Sequence, residues 1–536
     1  MAGLPLAAYP VEAQISSASV TSTVPLAPAV KGSRPRVNPK QVKPAATQLA
    51  PAIRDLGSPE LLALPTKAEM VRIQELRPLG LAEVTNLAEV NNPNLKAIAS
   101  QVDQAKSNLR AQLALWYPTL SVQAATLPGY TYGKSSADFA GGGSSQTNIA
   151  KRAVAAGALL EYALINPQRV PLVAAARDQY ERAKYGYLVS LRELRLQAAQ
   201  AYFDLQQSDD EVRIGQESVR ASLVSLRDAR ARFQAGVATK LEVLQAETQL
   251  ARDQQLLANS LAAQSIARRS LAALLDLPFG VTPTAKEPAR VLGVWNASLS
   301  ESIVAAYSFR EELDQAILDI SISNSQANAA LGGVQPILKI FTGADYAQFN
   351  GGQGNQSSQT SPVSGDQYTN SYGLKFSWSI FDGGAAAAQF RKSKQQAQEG
   401  RYKFSQRRDQ IRQEVETSFY ELQKNNRNII TTSREVISAR ESLRLARLRF
   451  QAGVTTQREV VDTQRDLTQA EVRYSSSISD YNKRLVEISR RTGLNQVSGC
   501  AVQSLSAVKP AGVSDVPVDP TPLIPACRAA APGAVF

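Results

Sequence analysis

The most reactive side chains in this chain are two cysteines, Cys500 and Cys527, both in Pro/Ala-rich sequence near the C-terminus. They lack the CxxC spacing of a redox or zinc site. In an oxidising compartment they would close a disulfide loop worth about 3–4 kcal/mol; otherwise they are two free thiols on a flexible tail. Histidine is absent from the sequence, which removes imidazole bases, Ser-His-Asp triads and histidine-ligated metals. No Walker or GxGxxG pattern falls where a strand would hand over to a helix. The expectation is a protein that is not an enzyme and carries no cofactor or metal.

A second set of residues promises polar chemistry of a structural kind. Gly236 and Gly453 sit where a helix can end in the left-handed conformation. Just beyond them, Thr239 with Glu242 and Thr456 with Glu459 spell T-x-x-E, the capping box that starts a returning helix. Glu459 and Asp462 are three residues apart and so share one helical face. The formal charge of +12 invites a nucleic-acid reading. The basic residues, however, are interleaved with acids along helices, as in RDARARF, with few aromatics among them. That is the pattern of a solvated helix face, and no nucleic-acid partner is expected.

The elements that position these residues come in two copies. Asn94-Leu95 and the run to Tyr117-Pro118-Thr119-Leu120 match Glu312-Leu313 and the run to Gln335-Pro336-Ile337-Leu338, an offset of 218 residues. RFQAGVATKLEVLQAETQL from Arg232 matches RFQAGVTTQREVVDTQRDL from Arg449, with about half the positions identical. Such a period is too long for a solenoid and marks a tandem duplication of one large unit. Each copy reads helix, strand, loop, strand, very long helix, tight turn, helix. A seven-residue beat runs down the long helices: Ala198, Leu205, Val212, Val219, Leu226, Phe233, and in the second copy Val415, Leu422, Ile429, Val436, Leu443, Phe450. A heptad sustained that far means packing along the whole length. From Pro171 to Phe233 no proline intervenes, giving a rod on the order of 100 Å long.

The strands alternate, clearly in Leu374–Ile380 and more faintly in Leu160–Leu164, so one face meets an apolar phase and the other water. The Gly-rich polar stretches 133–148 and 347–371 read as long outward loops. No run of eighteen apolar residues is present, which excludes a spanning helix but not spanning strands. Four strands cannot close a barrel, and open edges in lipid would leave backbone groups unpaired, so chains must pool their strands. Three chains would supply twelve.

The ordered set of NNPNL at Asn91–Leu95, WYPTL at Trp116–Leu120, the strand-to-helix junctions LINPQR and SIFDGG, and the two turns FQAGVATKLEVLQAE and FQAGVTTQREVVD resembles the TolC family of outer-membrane efflux proteins. The resemblance covers about residues 80 to 495. It implies an α+β membrane protein: a homotrimer with a twelve-strand barrel in the outer-membrane lipid, continuous with a long periplasmic barrel of coiled-coil helices. It implies an exit duct for efflux or type I secretion, coupled to a periplasmic adaptor and an inner-membrane transporter. On that template Asn166-Pro167 and Asp382 cap the long helices. The tips Gly236, Val237, Thr239, Gly453, Val454 and Thr456 would dock the adaptor, with Val237 and Val454 as apolar knobs. Glu459 and Asp462 match an acidic ring at the tunnel entrance, although the capping box also accounts for Glu459. Phe450 and Thr455 stand where the family has a tyrosine and an arginine that latch the entrance, so a latch of that kind is missing.

The expected division is a flexible Pro/Ala-rich arm over 1–80, repeats over 81–298 and 299–495, and a flexible tail over 496–536. Val11-Glu12-Ala13 resembles the end of a signal cleavage site without a proper signal before it. The rival reading, a soluble coiled-coil scaffold, uses the same heptads but leaves the alternating strands and their caps unexplained.

Overall fold

The computed structural model describes residues 45–73, 75–139, 143–355, 361–494 and 497–499. The elements run β1 (Glu75–Leu79), α1 (Leu81–Asn91), α2 (Pro93–Leu113), β2 (Thr119–Phe139), β3 (Gly143–Ile165), α3 (Arg169–Gln234) and α4 (Lys240–Leu274). They continue with β4 (Val281–Ala285), β5 (Gly293–Trp295), α5 (Leu299–Phe309), α6 (Glu311–Gly332), β6 (Ile337–Asn355), β7 (Ser361–Ser377), α7 (Ala385–Gln451), α8 (Gln457–Thr492) and β8 (Val497–Gly499). The two copies are therefore α2-β2-β3-α3-α4 and α6-β6-β7-α7-α8. Val497–Gly499, expected in the flexible tail, form β8 paired with β5, while Cys500, Cys527, the rest of the tail and the cleavage-like Val11-Glu12-Ala13 lie outside the described residues.

β2, β3, β6 and β7 form one antiparallel sheet in that order, with β2 and β7 as edges that pair with nothing else among the described residues. The register separates two faces. On one, the cross-strand rows are Leu120–Leu160–Thr342–Tyr372, Val122–Ala158–Ala344–Asn370 and Ala124–Ala156–Tyr346–Tyr368, with Tyr162–Ile340–Leu374 and Leu338–Phe376 nearer the helices. On the other lie Ser121, Gln123, Glu161, Asp345, Ser371, Thr369, Lys339 and Lys375. Lys339 and Glu161 pair there at 3.4 Å. Gly157 lies beneath Asp345, and a Cβ at that position would collide with the Asp345 carboxylate.

The expected loops are largely strand instead: β2 runs to Phe139 and β3 starts at Gly143, β6 runs to Asn355 and β7 starts at Ser361. A ladder can continue through polar, Gly-rich sequence when both faces are in water, because it no longer needs apolar alternation. At the other end β7 stops at Ser377, and the Trp378 indole donates to the Val334 carbonyl at 3.0 Å.

The rods α3 and α7 are 66 and 67 residues long, about 100 Å each. Near the sheet the helices lie side by side in the order α2, α3, α6, α7; beyond mid-height the order is α4, α3, α8, α7. The heptad positions Ala198, Leu205, Val212 and Leu226 are buried, as are Val415, Leu422, Ile429, Val436 and Leu443. The beat loosens at Val219, which is half-buried, and at the exposed Phe233.

The junctions explain where the rods begin. Asn166 accepts the Gln168 N–H at 3.1 Å in a turn that precedes the helix, which starts at Arg169 rather than at Pro167. Asp382 accepts the N–H groups of Gly384 at 2.9 Å and Ala386 at 2.7 Å. These bonds hold its carboxyl below the ordinary range.

The flexible-arm expectation fails for residues 45–56 and for β1. Ile53 and Leu56 are buried in one core with Val84 and Leu87 of α1 and Leu191 and Phe203 of α3. The Ala46 N–H donates to Glu89 at 2.7 Å, the Ala50 N–H to Asn86 at 3.0 Å, and Asn91 donates to the Leu56 carbonyl at 2.8 Å. β1 then pairs in parallel with β4. A Pro-rich segment cannot build its own ladder, but it can fold a short 3-10 turn, here Pro51–Leu56, against a helix whose polar side chains satisfy its backbone. Together with α5 and the β5–β8 pair, it packs around the rods at mid-height.

Candidate functional site: the hairpin tips and the wall behind them

At the first tip, α3 ends in a Schellman motif. Gly236 has φ +74°, its N–H donates to Phe233 at 3.0 Å, and the Val237 N–H reaches back to the Arg232 carbonyl at 3.0 Å. α4 opens with the expected capping box: the Glu242 N–H donates to the Thr239 hydroxyl at 3.4 Å and the Thr239 N–H to the Glu242 carboxylate at 3.3 Å. Val237 is 74% exposed.

The second tip repeats the backbone but not the side-chain chemistry. Gly453 has φ +74°, its N–H donates to Phe450 at 3.1 Å, and the Val454 N–H to Arg449 at 2.9 Å. Val454 is also exposed. Thr456, however, makes no side-chain cap. The Glu459 carboxylate instead accepts from Arg449 at 2.9 Å and from the Thr455 hydroxyl, so the expected second capping box is absent. A hydroxyl at 455, where the first copy has Ala238, draws the carboxylate sideways.

Asp462 follows one turn later on the same face of α8 and is 43% exposed in its side chain, with Arg458 at 3.6 Å and Arg465 at 3.4 Å. Glu459 and Asp462 thus both carry arginine neighbours that the spacing of the acids alone did not reveal. Phe450 packs beneath a guanidinium: Arg232 of the other copy lies 4.0 Å from its ring centroid, a cation–π contact. Gln457 donates to Ser225, and Ser218 pairs with Thr468 at 3.2 Å, so the two hairpins are fastened side by side.

A third constellation, unpredicted, lies where the two copies meet at mid-height. Arg310 grips Glu312 at 2.8 Å and Glu414 at 2.6 Å; Arg490 reaches Glu312 at 3.2 Å and Arg491 reaches Glu414 at 2.8 Å. Burial would raise the Glu312 carboxyl, but the guanidiniums of Arg310 and Arg490 overcome it and hold the group at about 2. Glu311 is pushed up by burial, with Arg192 at 2.7 Å opposing the rise. The first copy has Asn92 and Asn94 where the second has Arg310 and Glu312. That substitution of a charged pair into a repeated motif was the available signal.

The profile of outer membrane efflux proteins matches residues 84–276 and 304–494. This chain belongs to the outer membrane efflux protein family. Its two matched blocks are the two copies, and the break between them is the segment of β4 and β5. Solved structures agree on the fold. The outer-membrane channel OprN is similar at 18% identity over 77% of this chain and 89% of its own, with a TM-score of 0.63. CmeC of Campylobacter jejuni gives 14%, 82%, 94% and 0.62, and VceC of Vibrio cholerae 15%, 77%, 96% and 0.61. No curated protein matches the chain. Membership makes it an outer-membrane efflux channel, with its sheet in that membrane and its helices in the periplasm, and not an enzyme or a soluble scaffold. Channels of this family are trimers that work with adaptor and pump partners.

Proposed function

We propose that three copies of this efflux channel pool their sheets into one twelve-strand barrel and their helices into one tunnel, and that the hairpin tips receive a periplasmic adaptor. The observation that carries the trimer is the four-stranded sheet with two unpaired edges and one apolar face. In hydrocarbon an unpaired strand edge costs several kcal/mol per backbone group, and closure removes the edges. The apolar rows from Leu338 to Tyr346 span the nine residues a tilted strand needs to cross a bilayer. In detergent the purified protein runs as a trimer; a folded monomer persisting in lipid would overturn the reading.

At the tips, Val237 and Val454 support docking because each stands exposed on a rigid, left-handed turn that costs nothing further to order. Repeats 81–298 and 299–495 then act as alternate staves, with inner and outer hairpins fastened by Arg232–Phe450. Glu459 and Asp462 form the entrance ring, a mixed one in which each carboxylate shares its field with arginines.

A further inference from the structure

Behind the mid-height ion pairs lies a cavity of about 480 Å³ lined by α2, α3, α6, α7 and α8. Its position relative to the wall follows from α3. Arg195 reaches Glu89 of α1, on the side where residues 45–56 and α1 pack. Glu193, two residues earlier and therefore about 200° around the helix, lines the cavity. The cavity thus opens on the face of the wall away from the packed girdle, which in the closed tube is the bore.

Four guanidiniums line it, from Arg310, Arg407, Arg490 and Arg491, against three carboxylates, from Glu193, Glu312 and Glu414. The carboxylates are taken. Glu312 and Glu414 are held by Arg310, Arg490 and Arg491 at 3.2 Å or less, and Glu193 meets Arg490 at 3.2 Å. Arg407 is left over: its nearest carboxylate oxygen, on Glu312, is 3.7 Å away, and its hydrogen bond goes to neutral Gln410 at 2.9 Å. It is also a third exposed, more than the other three arginines.

We propose that Arg407, with the guanidiniums behind it, forms an anion-binding girdle at the middle of the bore, where anionic groups of the cargo pause on their way outward. The inference rests on the trimeric channel reading. Three subunits bring three copies of Arg407 to one level of the tube, and a guanidinium whose neighbours are already paired, Arg491 with Glu487 as well as Glu414, keeps donors for a carboxylate, sulfate or phosphate.

The test uses the full chain reconstituted in planar bilayers under a potassium chloride gradient, with inorganic pyrophosphate added on the helical side. Arg407→Glu is expected to lower the chloride-to-potassium permeability ratio on the order of threefold and to abolish pyrophosphate block. Arg407→Lys is expected to keep both, and Arg407→Gln to fall between them while leaving packing nearly unchanged. Unaltered permeability ratio and block in Arg407→Glu and Arg407→Gln, at native conductance, would overturn the girdle. Absence of any conductance from the native chain would instead overturn the channel assembly on which it rests.

Discussion

Single side chains decide how alike the two copies are. Thr239 caps α4 while Thr456 does not cap α8, so the same substitution has unequal consequences. Thr239→Ala is expected to cost about 1 kcal/mol at its tip and Thr456→Ala close to nothing, which amide exchange at the starts of α4 and α8 reads directly. At mid-height, Glu312 has its carboxyl held at about 2. A depressed carboxylate stabilises the fold fully above its ordinary value, and that stabilisation fades as pH falls toward the depressed one. The native protein should therefore lose thermal stability as pH drops from about 4.5 toward about 2. Glu312→Gln should flatten that slope and cost about 1.5–3 kcal/mol at neutral pH, since Arg310 and Arg490 each lose one carboxylate but keep Glu414 and Glu193. At the entrance, Asp462→Ala is expected to reduce cation selectivity and weaken block by multivalent cations, with trimer stability little changed. Unaltered selectivity and block would reduce Asp462 to part of a solvated face. The arginines beside the acids are not implied by the carboxylate spacing, since Arg449 reaches Glu459 across the turn. The Arg310–Glu414 and Arg490–Glu312 pairs escaped it because their partners lie 104 and 178 residues apart.

Among elements, those built from periodic pattern or backbone stereochemistry were the legible ones. The heptads placed both rods, and Gly236 and Gly453 placed both turns at φ +74°. Elements whose order depends on a neighbour were not. The segment 45–56 reads as flexible because its own sequence offers no periodicity; Glu89, Asn86 and Asn91 of α1 hold it. The outer halves of the strands read as loops because a ladder in water needs hydrogen bonds but no pattern. The tips themselves are tested as a pair. Val237→Asp with Val454→Asp puts a charge into each apolar contact and is expected to abolish export while membrane insertion and trimer formation persist. Export surviving both changes would remove the tips as the docking surface.

For the whole molecule, the nearly equal rods, 66 and 67 residues long, have a consequence for how such a protein can change through descent. One inserted residue turns everything beyond it by about 100° and lifts it about 1.5 Å, which takes every buried heptad position below it out of register. Only seven-residue edits keep the stripe facing inward, and an edit in α3 alone would leave its tip out of line with that of α7. Matched edits in α3, α4, α7 and α8 are the changes that leave both tips level. Removing one heptad from all four helices is accordingly expected to yield a shorter but assembled trimer, whereas removing it from α3 alone should yield none; gel filtration in detergent distinguishes them. The span this tube bridges is therefore inherited in steps of about 10 Å, and a cell envelope that thickened by less would have to be met by the partner at the tips, not by the channel.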